Sequence, residues 1–531
     1  MDRQRRIFLQ GTAQLASLAS LASLAALAAS GGVACARADG RAYPFSLGVA
    51  SGSPLPHSVI LWTRILADPL ADPPTSGAST RLAVSVRWEV AEDEGFRRIA
   101  AKGVASALPA LGHSVHVDVT GLAPGRWYWY RFMLGDALSP VGRTRTAPAP
   151  GEMPSMLRLA VASCQHWEFG SYGAHRHIAA AAPDLVAFLG DYIYEWGPYR
   201  LTHPDSAVRS HESFTLAHYR ARYAQYKSDA DLQAAHQAAP WIVTWDDHEV
   251  ANDYAGGRER QGASGFMARR AGAYQAFYEH MPLRLAPPGQ TDFANWRMFQ
   301  RYDWGRLARF YLLDDRQYRT PHACHLSGSV RRRDCAALMD PGRTMLGAEQ
   351  EAWLAAALGS SRARWNLIGQ QTLMAQSSQS SIVQPGDGRF WTDGWDGYPV
   401  ARRRLLDAVQ QSGAANPLVL SGDVHTFYAA ELRSNFDQPA SAANPVIASE
   451  FCATSVTSPS RPQQRTLDYV AINPHLRYGR SDKRGFMLLE VTPAKTTTHF
   501  VGLGDVRDAG TAAAPVASFV VNAGRSGVSR T

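Results

Sequence analysis

The chain has 531 residues, with 45% hydrophobic and 19% charged side chains, which is ordinary for a soluble globular protein and long enough for more than one domain. The formal net charge is +8, yet no block of basic residues interleaved with aromatics is present, so the composition gives no support to a nucleic-acid-binding module. The densest basic runs, Arg331 to Arg333 and Arg402 to Arg404, read as solvated surface, and a mild positive field of this kind draws anions towards a cleft.

In chain order, the first feature is a processing signal. Arg5 and Arg6 precede Ile7-Phe8-Leu9-Gln10, a mildly apolar stretch runs from Leu15 to Ala29, and Ala36 and Ala38 place small residues before a cleavage point. This is the layout of an export peptide over residues 1–38, and the paired arginines point to the twin-arginine machinery as a partner. Repeated serines make the stretch a poor transmembrane anchor, and Gly32 is a weak residue for lipidation at Cys35, so no stable membrane anchor is expected. The mature chain is expected in the periplasm or outside the cell, as a monomer. In that oxidising setting Cys324 and Cys335, eleven apart in a polar stretch, are the natural disulfide pair. Cys452 sits in an apolar run and reads as core.

Residues 43–148 read as short strands: Ser58 to Ile65, Leu82 to Glu89, Val115 to Val119 and Trp127 to Phe132 carry β-branched and aromatic residues between Gly and Pro punctuation. Gly121 to Gly125 between the last two looks like the corner of a fibronectin-type sandwich. An all-β domain over 43–148 and a linker at 149–155 follow. From residue 156 to 531 the pattern changes to strand-like runs alternating with helices. Leu157 to Ser163, Leu185 to Gly190, Trp241 to Trp245, 307–314, Trp365 to Gln370 and Leu418 to Ser421 are strands. Phe214 to Ala239, Gly265 to Met281, Ala348 to Leu358 and Val400 to Gln411 are helices. This alternation predicts an α/β domain with largely buried sheets.

Four of those strands end in residues that bind metals: Cys164, Asp191, Asp246 with Asp247 and His248, and Asp423 with His425 two residues on. Ligands collect outside the carboxyl ends of strands in open α/β sheets, so four such ends can share one site. Asp191 and Tyr194 lie three apart. A carboxylate bridges two cations, and a phenolate three residues on suits a hard trivalent ion, because a phenol with an ordinary pKa near 10 needs a strong Lewis acid to stay ionised near neutrality. That favours iron(III), with Cys164 and His425 completing the set.

The blocks Gly190-Asp191-Tyr192-Ile193-Tyr194-Glu195, Trp245-Asp246-Asp247-His248-Glu249-Val250-Ala251-Asn252 and Ser421-Gly422-Asp423-Val424-His425 resemble the signatures of PhoD-type phosphatases. Ser163-Cys164-Gln165 and Asp393-Gly394-Trp395-Asp396-Gly397-Tyr398 fit the same pattern, and the first and last blocks are more distantly similar to the calcineurin-like metallophosphoesterases. The resemblance implies a two-sheet sandwich flanked by helices, preceded by the fibronectin-like β domain. It implies Fe(3+) on Cys164, Asp191, Tyr194 and His425, and Ca(2+) on Asp191, Asp423 and Asn252 or Asp247, with Asp396 as a further calcium ligand. Asp253 stands where a second Asn is familiar, and Tyr254 where Trp is. His248 is the expected acid or phosphoryl-holding group, and Arg316, after a strand, the expected guanidinium on phosphate. Asp191, His248 and Arg316 together form the expected catalytic set.

No Walker loop and no GxSxG elbow is present. The implied activity is hydrolysis of phosphomonoesters, and possible diesters, in small molecules or polymers, by in-line attack of metal-activated water. Three alternatives compete: a phospholipase D-like phosphodiesterase, a degenerate protein that binds surface polymer, and a calcium-stabilised structural protein. The last leaves Cys164 and Tyr194 without a role.

Overall fold

The computed structural model describes residues 43–69, 82–196, 212–259, 264–284, 293–325, 327–384 and 386–531. The strand-like runs collect into two large sheets. A ten-stranded sheet carries Leu157–Ala162, Leu185–Leu189 and Trp241–Thr244 side by side and parallel. A seven-stranded sheet carries Ala308–Leu312, Trp365–Gly369, Pro417–Ser421 and Ala448–Cys452, also parallel. These strands are apolar on both faces because both faces are covered. Leu159, Val161, Ala187 and Leu189 of the first sheet meet Phe310, Leu312, Leu367 and Leu420 of the second in one buried layer. The intervening residues Ala160, Val186, Phe188 and Val243 face outward onto the helices Gly173–Ala180, Leu216–Lys227, Ala230–Ala238 and Phe266–His280. Tyr311, Ile368 and Val419 face the helices Gly347–Gly359 and Pro399–Ser412 on the other side. The result is the two-sheet sandwich flanked by helices that the resemblance implies.

One element differs. The segment 214–239 reads as one helix, but Ser228 ends Leu216–Lys227 and a second helix starts at Ala230. Asp229 is extended, and its Oδ1 accepts the Leu232 N–H at 2.9 Å, so a side-chain cap replaces the helical hydrogen bond there. The apolar spacing runs through the break and hides it.

The described part of 43–148 is β-structure with a single 3-10 turn at Pro109–Leu111. Ile99–Ala107, Val84–Ala91, Trp127–Leu134, Ala137–Leu138 and Gly142–Arg145 form a five-stranded sheet. The corner at Gly121 to Gly125 carries the chain into it from Ser114–Thr120, which lies in the ten-stranded sheet, and the buried Tyr128 hydroxyl accepts the Ala123 N–H at 2.9 Å across that corner. Val49–Leu55, Ser58–Arg64 and Ser114–Thr120 extend the ten-stranded sheet through parallel pairing of Gly52 with Trp241. A Cβ on Gly52 would lie 2.6 Å from the carbonyl oxygens of both Trp241 and Pro282. Gly52→Ala therefore forces these backbones apart. We expect it to cost about 1–3 kcal/mol of unfolding free energy, the usual range for overpacking, read as a lower denaturation midpoint with an unchanged m-value.

Cys324 and Cys335 form the expected disulfide, and Cys452 is buried with its Sγ 3.3 Å from the Gly422 carbonyl. No helix among the described residues is long and apolar enough to cross a membrane, and the export signal over 1–38 lies outside the described residues.

Candidate metal centre

The carboxyl ends of the parallel strands in both sheets meet at one edge of the sandwich. Gln371, just past Trp365–Gly369, ties the sheets there: its Nε2 donates to Thr244 Oγ1, the Trp245 carbonyl and the Leu313 carbonyl at 2.7–2.9 Å. Cys164, Asp191 and His425 come together with ligand atoms within 4.8 Å of one another. The Tyr194 hydroxyl donates to Asp191 Oδ2 at 2.8 Å and lies 3.2 Å from His425 Nε2, so it joins the same group. Asp191 also belongs with Asp246, Asp247 and Asp423, whose carboxylate oxygens meet the same limit. It is the residue common to both clusters, as a bridging carboxylate must be.

Local backbone explains how these side chains reach one point. Cys164, Asp191, Asp423 and His425 all have positive φ, between 53° and 61°. Such left-handed conformations cost a non-glycine residue about 1–3 kcal/mol and persist only where surroundings enforce them. The chain turns at these residues after the strands Leu157–Ala162, Leu185–Leu189 and Pro417–Ser421, where the side chains come together. Gly190, at φ +103°, lets the Asp191 loop approach Asp246, whose Cβ would lie 2.5 Å from any Cβ at 190.

Most of the residues that enforce this geometry escaped the sequence reading. Buried Glu249 accepts the backbone N–H groups of Asp191, Tyr192 and Asp246 at 3.0, 2.6 and 2.8 Å, stapling two strand ends together. Glu195 accepts the Asn252 N–H at 2.6 Å and holds His248 Nδ1 at 2.7 Å, which leaves Nε2 for the cleft. Pro459 O accepts His425 Nδ1–H at 2.7 Å, fixing the tautomer whose Nε2 lone pair faces Tyr194. Ser458 Oγ donates to the Tyr194 hydroxyl at 2.7 Å, and the Tyr194 ring lies between the rings of His166 and His248, 4.2 and 4.1 Å away. Glu195 and Glu249 lie inside or beside the signature blocks and were available there. Ser458 and Pro459 carry no sequence signal, because a hydroxyl and a carbonyl in a loop look like any other.

An open cleft of about 1010 Å³ lies over the cluster, lined by Asp191, Asp247, His248, Asn252, Asp423 and His425 among others. Arg316 lies beneath the carboxylates and is 1% exposed. Its Nε pairs with Asp246, its Nη1 donates to Asp393 Oδ2 at 2.6 Å, and its Nη2 is 3.3 Å from Asp247 Oδ1 and 3.8 Å from Asp423 Oδ1. Asp396 lines the cleft but stands apart from the ligand groups, since one oxygen accepts from Arg402 at 2.6 Å and the other from the Ser377 N–H at 2.8 Å. His248 joins Asp191 and Asp247 in a third group, and Asp393, three residues before Asp396, joins Asp247 and Asp253 in a fourth.

The electrostatics fit cations. Among the described residues Asp191 Oδ1, Asp246 Oδ2 and Asp247 Oδ1 are buried oxygens that accept no hydrogen bond, Asp247 Oδ1 having only the ion-pair contact with Arg316. Burial, followed by the neighbouring carboxylates, pushes Asp191 and Asp246 well above the usual carboxylate range, and Asp253 up to about 7. Burial raises Asp423 to about 6 against the pull of Arg316. Burial, with Asp191 and Asp423, also pushes the Cys164 thiol up. Added positive charge favours the ionised form of each, whereas Asp247 is already held below its usual range, burial being outweighed by Arg316 and His248. Because Asp423 and Asp253 are raised to about 6 and about 7 in the folded chain, their stabilisation of metal-free protein is present below about pH 4 and is lost as pH rises through about 6–7. A bound cation removes that loss. The thermal midpoint difference between metal-loaded and chelated protein should therefore widen from pH 4 to pH 8, and a constant difference would contradict the cluster's role.

Two packed sheets whose parallel strands end on clustered carboxylates, with a thiol, a phenol and an imidazole, define a metallophosphoesterase-like hydrolase fold. The comparisons narrow this. The family described as PhoD-like phosphatase matches residues 159–500, and the N-terminal domain of PhoD-like phosphatases matches residues 30–148. Alkaline phosphatase D of Bacillus subtilis (strain 168) is 42% identical over 533 residues, covering 99% of this chain and 88% of that one. The solved structure of PhoD superposes with a TM-score of 0.85 at 42% identity, covering 92% of each chain. The chain belongs to the PhoD-like phosphatase family and is a phosphoric ester hydrolase.

Proposed function

We propose that this chain is an exported, metal-dependent alkaline phosphatase that hydrolyses phosphomonoesters and also accepts phosphodiesters. The observation that carries the reading is the convergence of Cys164, Tyr194, His425 and Asp191 on one point, with Asp191 shared by a second, all-carboxylate group. The first set suits one Fe(3+). Asp191, Asp247 and Asp423, with the Asn252 side chain at the cleft wall, suit Ca(2+). Asp396 is kept as a ligand only for an ion held further out in the cleft. We read residues 1–38 as the twin-arginine export signal, 43–148 and 156–531 as the β and catalytic domains, and the mature protein as a periplasmic or secreted monomer.

When bound, such cations withdraw charge from phosphoryl oxygens and lower the pKa of water at the site. The chain's own residues supply the rest. His248 is opposed by burial, but Glu195, Asp247 and Asp191 together raise its pKa well above the ordinary value, so it holds a proton for the leaving oxygen. Glu195 orients that ring. Arg316 completes the catalytic set from below, pairing with Asp246, Asp247 and Asp423 and holding them in place. Enclosed in this way, it acts by positioning the carboxylates.

The experiment is elemental analysis of folded protein, with its visible spectrum and hydrolysis of 4-nitrophenyl phosphate and bis(4-nitrophenyl) phosphate at alkaline pH. Iron near one per chain, accompanying calcium, a charge-transfer band and chelator-sensitive hydrolysis are expected. Activity with a different metal would retain the hydrolase and discard the iron–tyrosinate centre.

A further inference from the structure

We infer that Arg461 is the residue that grips the substrate's phosphoryl oxygens, an inference that rests on the metal-centred phosphoesterase reading above. Among the described residues three arginines line the cleft: Arg389, Arg461 and Arg465. Arg389 is exposed and its Nε donates to Ser329 Oγ at 2.7 Å. Arg465 is exposed and its Nε donates to the Tyr469 hydroxyl at 2.8 Å. Arg461 is half-buried and makes no hydrogen bond or ion pair among the described residues; its Cζ lies 5.3 Å from the centroid of the Tyr469 ring, and its charge is felt by His425, Tyr428 and Cys452. In a cleft walled by aspartates, this guanidinium is placed there and left unpaired.

Its placement is fixed by the residues before it. Ser458 donates to Tyr194, Pro459 accepts from His425, and the hydroxyls of Ser460 and Thr426 lie 3.0 Å apart. Three consecutive residues are thus fastened to the centre or its loop. Pro462 follows as the cap of the helix Gln463–Ile472, so prolines at 459 and 462 restrict the backbone on both sides of the arginine. An arginine on a mobile loop would lose much of its hydrogen-bond energy to ordering, whereas this one is held beside His425 in advance. A phosphate ester presents planar pairs of oxygens that a guanidinium fork matches with two parallel hydrogen bonds. Arg316 has the same chemistry but its fork is filled by aspartates, so the cleft-facing position falls to Arg461.

The test uses metal-loaded protein with inorganic phosphate as the probe. Isothermal titration should show phosphate binding to wild type that weakens about 10- to 100-fold in Arg461→Gln, the loss usual for charge-assisted hydrogen bonds. Arg461→Lys should fall between, because it keeps the charge and loses the fork. Iron and calcium content and the thermal midpoint should match wild type, and kcat/KM for 4-nitrophenyl phosphate should fall in step with phosphate affinity. Unchanged phosphate affinity in Arg461→Gln overturns the inference, as does a loss explained by lost metal. Arg461-dependent phosphate binding without any hydrolysis by wild type would support the grip and overturn the hydrolytic reading. No phosphate binding by loaded wild type would overturn both.

Discussion

Cys164→Ser is expected to leave the fold standing while iron falls well below one per chain and hydrolysis drops by at least about 100-fold, a loss that even partners behind metal ligands can cause. The position is 1% exposed, and serine is smaller and no less compatible with the site, so packing changes little. What changes is the donor. A thiolate is lost from a group that otherwise holds a carboxylate, a phenol and an imidazole, and serine is not ionised at a comparable pH. Elemental analysis and the visible spectrum separate this from unfolding: the charge-transfer band should fade or shift, while far-UV circular dichroism stays as in wild type. Full iron and full activity would remove Cys164 from the ligand set and leave the left-handed backbone at this residue without a functional reason.

The second large effect concerns His248. His248→Gln removes the group that Glu195 orients at 2.7 Å, and a positioned acid typically contributes about 10²–10⁴ in rate. The full loss in kcat is expected with alkyl phosphates, whose leaving oxygen needs a proton. A smaller loss is expected with 4-nitrophenyl phosphate, whose phenolate departs unaided. Metal content should not change. If both substrates lose equally, His248 acts by holding the phosphoryl group, and the acid must be sought elsewhere in the cleft.

The strands and most helices were legible because the parallel core strands are short, apolar and bounded by turns. Their ends gave Cys164, Asp191, Asp247, Asp423 and His425, and the structure gathers those residues at one sheet edge. Four things were not legible. The break at Asp229 was hidden because apolar spacing continues across it. The extension of the ten-stranded sheet by Val49–Leu55 depends on a pairing nearly two hundred residues distant, which no local pattern records. The surroundings of Arg316 were also hidden: position after a strand suggests a cleft-facing side chain, whereas four carboxylates from distant segments enclose it. Asp393 was passed over for Asp396 in the same block because two aspartates in a loop differ only in what folds against them, here Arg316 and Arg319 for one and Arg402 for the other.

The pairing of Gly52 with Trp241 also bears on how the chain acquires its structure. The strand synthesised among the earliest finds its lateral neighbour only after a long intervening length of polypeptide has emerged, and Gly485–Val491 closes the other side of Leu157–Ala162 later still. Entropy must be surrendered before these distant contacts return anything, which makes folding of such sheets slow. The nascent chain therefore spends an extended interval with unsatisfied strand edges, the condition under which chaperone engagement decides yield.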